Sequence, residues 1–164
     1  MAVYVRIAGE ADLPLLARMN KCLIEDEGSR NAMSVAELQQ RMSSWLRSDW
    51  QADLFVEDET VVGYAVYQLG QDEYFPNNSM VYLRQMYIDR DKRNRKLGRL
   101  ALKALARTRF PADCIVVIEV LATNPKGARF WSQVGFQPYC TTMHLNSSNL
   151  RAESSLTTSG TESC

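Results

Sequence analysis

Two periodicities organise this chain. Val3–Ile7 alternates apolar and polar residues with the period of a strand. Asp12 then caps a helix with Pro14 in its first turn, and Leu13, Leu15, Leu16, Met19 and Leu23 supply its apolar face. Ser34-Val35-Ala36-Glu37 is a capping box, which predicts a second helix running to about Ser48. Leu54–Glu57 and Val61–Leu69 form a predicted hairpin around Asp58-Glu59-Thr60. A polar loop from Gly70 to Ser79 leads to a fourth strand, Met80–Ile88. Helical spacing returns over about Leu97–Thr108 and ends before Pro111. A fifth strand (Ile115–Ala122), a short helix (about Lys126–Val134) and a terminal strand (Phe136–Leu145) follow. The order βααβββαβαβ predicts an α/β fold with helices packed on a mixed, mostly antiparallel sheet. Residues 1–145 make one domain. Residues 146–164 are Ser/Thr-rich and read as a mobile tail.

Composition narrows the possibilities. At 164 residues, 46% hydrophobic and 23% charged, the chain is long enough and apolar enough for one ordinary core. Lys plus Arg equals Asp plus Glu at 19 each, which argues against a general nucleic-acid or membrane-surface binder. Against that balance, the six basic residues between Arg90 and Arg99, opposed by Asp91 alone, stand out. No apolar run follows Met1 and no stretch approaches a membrane span, so the expected location is the cytoplasm. Cys22, Cys114, Cys140 and Cys164 are scattered, and His144 is the lone histidine. Neither a zinc site nor a Ser-His-Asp hydrolase is expected from that set.

Three features carry candidate chemistry. The loop Arg93-Asn94-Arg95-Lys96-Leu97-Gly98-Arg99 opens directly into a helix, where free backbone N–H groups and cations suit a pyrophosphate. A solvated charged turn is the plain alternative. A nucleic-acid grip is a third, weakened because no aromatic residue interleaves the basic ones. Glu119 stands in Ile115-Val116-Val117-Ile118-Glu119-Val120-Leu121, a run apolar on both faces. A carboxylate there would be a base of raised pKa if buried, one half of a structural ion pair, or a group exposed at an edge. Glu25-Asp26-Glu27 ends the first helix with charges that oppose the helix dipole, which fits either recruitment of a cationic amine or a tolerated solvated end.

The segment from Met80 to Tyr139 resembles the cofactor half of the GNAT superfamily of N-acetyltransferases. Arg93 and Gly98 match the ends of that family's Gln/Arg-x-x-Gly-x-Gly/Ala phosphate loop, with Lys96 replacing the inner glycine. Asn124 followed eleven residues on by Gly135-Phe136 matches its later pattern. The resemblance covers about residues 3–145. It implies acetyl-CoA as co-substrate, held by the loop from Arg93 to Arg99, by Asn124 and by the backbone of Met86, Tyr87 and Ile88. It implies that the Met86 amide meets the acetyl carbonyl and that Glu119 acts as general base. The family's usual tyrosine acid is replaced by Trp131, whose plain reading is core packing. The implied activity is direct transfer of acetyl to a primary amine, preferably a small cationic one, with Glu25, Asp26 and Glu27 on the acceptor side. A peptide or protein N-terminus is the alternative acceptor, and a non-catalytic acyl-CoA-binding module the alternative class. No metal, nucleic acid or membrane partner is expected, and a homodimer is left open.

Overall fold

The structure, a computed structural model, describes residues 2–154. A single sheet runs in chain order through β1 (Val3–Ile7), β2 (Trp50–Glu57), β3 (Thr60–Gln71), β4 (Ser79–Ile88) and β5 (Ile115–Val117). All neighbours are antiparallel except β4 and β5. The β2–β3 hairpin forms where the sequence predicts it, one residue tighter, because Thr60 already pairs with Glu57. Asp58 and Glu59 both have positive φ (46° and 61°), the twist that a two-residue hairpin favours.

Helices α1 (Leu13–Asp26) and α2 (Val35–Leu46) cover one face of the sheet. Leu16, Met19 and Leu23 of α1 and Met42 of α2 pack there on Leu54, Tyr64, Val66 and Tyr87. The capping box at α2 forms as read: the Glu37 N–H donates to Ser34 Oγ, and the Ser34 N–H to Glu37 Oε2 at 2.7 Å. Helix α3 (Leu97–Thr108) covers the other face, and its buried stripe Leu97, Ala101 and Leu105 recurs every four residues. That stripe meets Phe55, Ala65, Tyr67 and Val81. Each leucine so buried contributes roughly 1.5–3 kcal/mol. Helix α4 (Pro125–Val134) follows β5.

Some boundaries depart from expectation. Asp12 does precede α1, but its carboxylate makes no bond to the helix amides. It accepts instead from Gly9 N–H and from both terminal nitrogens of Arg6, which hold its carboxyl below the usual range. The fifth strand is three residues long rather than eight, because its ladder with β4 stops at Tyr82 and Val117. No strand forms over 136–145, where Tyr139, Met143 and Leu145 are exposed. Alternating apolar residues make a strand only where an edge is at hand to pair with. The expected tail begins with a helix, α5 (Ser147–Ser154); the rest of it, 155–164, lies outside the described residues.

Candidate active site

The site is built where β4 and β5 part. The two strands are paired only at Met80–Tyr82 and Ile115–Val117, so from Leu83 onward β4 has an open edge. A bulge falls at the same place: Tyr67 pairs with Leu83 and Val66 with Gln85, leaving Arg84 as the extra residue. The Asp89 N–H donates to the Val62 carbonyl at 2.9 Å. Amide direction alternates along a strand, so the N–H groups of Met86 and Ile88 face away from β3, toward the opening, while Tyr87 faces β3. Met86 and Ile88 therefore present backbone donors to the opening, whereas the Tyr87 backbone is engaged on the other side. Gly63 of β3 allows this crossing, since a Cβ there would sit 2.1 Å from the Tyr87 carbonyl oxygen.

The basic loop lies at the end of β4. A 3₁₀ turn, Arg90–Lys92, leads through Arg93 and Asn94 to Lys96, the N-cap of α3. Asn94 and Lys96 both adopt positive φ (64° and 61°), the region the family's glycine would occupy at Lys96 without penalty. No side chain caps α3. The N–H groups of Leu97, Gly98 and Arg99, the first three of the helix, are those that an α-helix leaves without an internal acceptor. Lys92 and Lys96 form no ion pair among the described residues. Uncapped amides flanked by lysines fit the pyrophosphate of coenzyme A. Gly98 lets α4 approach, because a Cβ there would meet the Phe130 ring at 3.1 Å. Arg99 donates across to the Gln133 carbonyl, and Arg95 reaches Glu57 at 3.6 Å. Asn124 is the N-cap of α4, its Oδ1 accepting from Gly127 N–H at 2.9 Å.

The acidic end of α1 is not a free surface. Arg90 pairs with Glu25 at 3.0 Å and with Asp26 at 2.9 Å, and also donates to the Cys22 carbonyl. Arg93 pairs with Asp26 at 2.5 Å, donates to the Ile88 carbonyl and lies over the Tyr87 ring. Burial pushes the Asp26 carboxyl up, but the hydrogen bonds from Arg93 and Arg90 outweigh it and hold it below its ordinary value. Glu25 and Asp26, expected on the acceptor side, pair with Arg90 and Arg93, and those arginines offset the unfavourable helix end. Glu27 differs. It is half-buried and forms no ion pair among the described residues, and burial followed by the charge of Asp26 pushes its carboxyl up. Thr123 Oγ1 donates to its carbonyl at 2.6 Å, tying this corner to the β5–α4 loop.

Glu119 is exposed rather than buried in a two-faced apolar strand, because the chain has already left the ladder at Val117. It accepts from the Tyr82 hydroxyl at 3.0 Å; burial first, and this bond second, push the Tyr82 phenol up. Trp131 packs edge-on against Phe130 and Phe136, the expected core role. Sequence reasoning missed a polar group on the α1/α2 face. Tyr64 donates to Gln85 at 3.0 Å, Gln85 donates to Asn20 at 3.2 Å, and Arg41 and Arg84 both lie over Trp45. The signals were present: Asn20 and Arg41 interrupt the apolar stripes of their helices, and Arg84-Gln85 breaks the alternation of β4. A cavity of about 430 Å³ opens at the other end of the sheet, between Ile7, Trp50, Tyr67 and Arg109. The length of α3 separates it from the phosphate loop.

Comparison with known proteins places the chain in a family. Residues 22–136 match the model of the acetyltransferase (GNAT) family. The chain belongs to that family. It is an acyltransferase by that membership. No curated protein sequence matches it. Solved structures share its fold. A possible acetyltransferase from Clostridium difficile 630 superposes with a TM-score of 0.71 at 14% identity, covering 89% of this chain and 97% of that one. An acetyltransferase from Clostridium acetobutylicum, solved with acetyl-CoA, gives 0.67 at 16% identity over 90% and 97%. An aminoglycoside N-acetyltransferase in complex with CoA gives 0.69 at 14% identity over 88% and 93%. Among the described residues no helix is long and apolar enough to cross a membrane, and no cluster of three metal-ligating side chains occurs.

Proposed function

We propose that this GNAT member transfers acetyl from acetyl-CoA to a small primary amine, by direct attack with both substrates bound. The observation that carries the reading is the coincidence, at one end of β4, of an open strand edge, a bulge and the uncapped start of α3. Acetyl-CoA supplies the activated thioester. Its pyrophosphate rests on the amides of Leu97, Gly98 and Arg99, beside Lys92, Lys96 and the loop arginines Arg93 and Arg95. Asn94 shapes the turn, and Asn124 contributes from the start of α4. The pantetheine arm runs along the open edge of β4, using the amide of Ile88. The Met86 N–H donates to the thioester carbonyl oxygen, where negative charge grows as the amine attacks.

Glu27 receives the ammonium of the acceptor, being the one acid of the α1 end that no arginine neutralises. Glu119 removes the amine proton, directly or through water, and Tyr82 relays it. Tyr82, which donates to Glu119, then carries that proton towards the departing thiolate. Tyr139, by contrast, is 91% exposed. The test is release of free coenzyme A thiol across a panel of amines and short peptides. Turnover of small amines with none of peptides is the expected result; peptide turnover alone would shift the acceptor to a protein N-terminus. Glu119→Gln should lower kcat by about 10²–10⁴ at neutral pH while leaving coenzyme A affinity unchanged in calorimetry.

A further inference from the structure

The α1/α2 face beneath the β4 bulge carries two cations with no counter-ion. Arg41 of α2 stands 4.6 Å from the Trp45 ring centre. Arg84, the extra residue of the bulge, stands 5.3 Å from the same ring and 5.6 Å from Trp50. Neither forms an ion pair among the described residues. Arg41 is half-buried, and its Nε is fully enclosed with no acceptor. The ionisable groups that act on it are Arg84 and Tyr64, with no carboxylate among them. Glu119, on the β5 side, is taken up by Tyr82, whose ring in turn packs edge-on to Trp50.

Stacking on an indole accounts for one guanidinium. It does not account for the enclosed Arg41 N–H without a partner, which costs stability, nor for the exposed Arg84 being held beside a like charge rather than a carboxylate. A second orphan lies on this face: Asn20 is fully buried and its Nδ2 has no partner, although its Oδ1 accepts from Gln85. Gln85 accepts from Tyr64, and the buried Tyr64 phenol feels both Glu27 and Arg41. A lone carboxylate and an unpaired guanidinium pair thus flank one tyrosine, next to the strand edge where transfer would occur.

We propose that the acceptor is an aminocarboxylate. Its ammonium meets Glu27, and its carboxylate is received by Arg41 and Arg84, with Asn20 Nδ2 as a further donor. Guanidinium forks match a carboxylate in two-point geometry, and an anion at this position answers both the like-charge pair and the orphaned donors. This inference rests on the acetyltransferase reading above for the reaction, but the anion site stands on its own geometry.

The experiment compares glycine, β-alanine, γ-aminobutyrate and the common L-amino acids with their carboxamides. Turnover is followed by free thiol release. Binding without acetyl-CoA is followed by the fluorescence of Trp45 and Trp50 in a Trp131→Phe background. At least one acid should be acetylated with kcat/KM about tenfold or more above its amide. Arg41→Gln and Arg84→Gln should each raise KM for that acid by about ten- to hundredfold, with little effect on the amide. Arg41→Lys should recover part of the loss. Acids that bind in an arginine-dependent way without any turnover would keep the anion site and sink the transferase reading. Amides turned over as well as acids would do the reverse. An absence of acid binding in the folded parent protein would overturn the proposal.

Discussion

A lysine held at φ 61° bears a strain that glycine escapes, and Lys96 is held there by the turn into α3. The left-handed region costs an L-residue roughly 1–2 kcal/mol, and glycine recovers this less its own greater chain entropy. Lys96→Gly should therefore stabilise the protein by about 0.5–1 kcal/mol in urea titration, whatever it does to coenzyme A binding. At Glu27 the physics is protonation. Burial and the charge of Asp26 raise its carboxyl above the ordinary 4.5, so the form that receives an ammonium appears only above that raised value. The part of the acid limb of kcat/KM that Glu27 contributes should accordingly lie higher than for an exposed glutamate, and Glu27→Gln should remove that part while leaving the contribution of the base. Glu27→Gln should also raise stability at neutral pH, because a carboxyl raised in the folded state opposes folding once it ionises. Asp26 carries the opposite sign. Its value is lowered from 3.8, so its stabilisation is present above that value and is lost as pH falls through the lower one. Asp26→Asn should lower Tm at pH 7, and the difference from the parent should vanish once the pH has fallen below the lowered value. In the sequence, the three acids of the α1 end look alike. What separates them is the arrival of Arg90 and Arg93 from more than sixty positions away, which no local pattern reports.

Elements whose order is set locally were legible. Helix α3 begins and ends at the residues the pattern predicts, because a four-residue apolar stripe and a following proline act within one segment. The β2–β3 turn was legible for the same reason. Strand β5 and the missing terminal strand were not, since pairing depends on a partner edge rather than on the strand's own residues. The divergence of β4 and β5, on which the site depends, is likewise a property of two elements together; its sequence trace is the broken alternation at Arg84-Gln85. Gly63 shows how tightly the β3–β4 ladder is specified. Its absent side chain makes room for the Tyr87 carbonyl, and Ile88 Cα lies 3.1 Å from where a Cβ would stand. Backbone cannot yield there as a side-chain tip can. Gly63→Ala should cost at least about 3 kcal/mol, and amide exchange should rise first across Tyr64–Tyr87, the hydrogen-bonded rung nearest the site. A loss below 1 kcal/mol would mean that the two strands slide past one another freely, and the amide directions assigned to Met86 and Ile88 would fall with it.

At the scale of the whole molecule, the far end of α3 is held by a charge buried in the sheet. Asp53 of β2 is 2% exposed, yet it accepts from Arg109 Nε at 3.0 Å and from the Tyr67 hydroxyl at 2.6 Å. The sequence pattern starts this strand at Leu54, because Gln51-Ala52-Asp53 looks like a solvated lead-in. The structure carries it back to Trp50, since Asp53 is neutralised by a residue 56 positions later. Removing one partner of such a pair strands the other, which is costlier than removing both. Arg109→Met should therefore destabilise the protein by about 3 kcal/mol, the low end for a buried pair because Tyr67 still donates and the Arg109 side chain is 27% exposed. Asp53→Asn combined with Arg109→Met should recover most of that loss, since no charge then remains inside. Urea titration of the two variants measures both values. A single variant as stable as the parent would show that water already screens the pair, and α3 would then owe its position to the apolar stripe alone. Calorimetry of coenzyme A with the folded double variant completes the test. Affinity close to the parent's is expected, because the anchor acts on the helix's far end and leaves the amides of Leu97, Gly98 and Arg99 where they are.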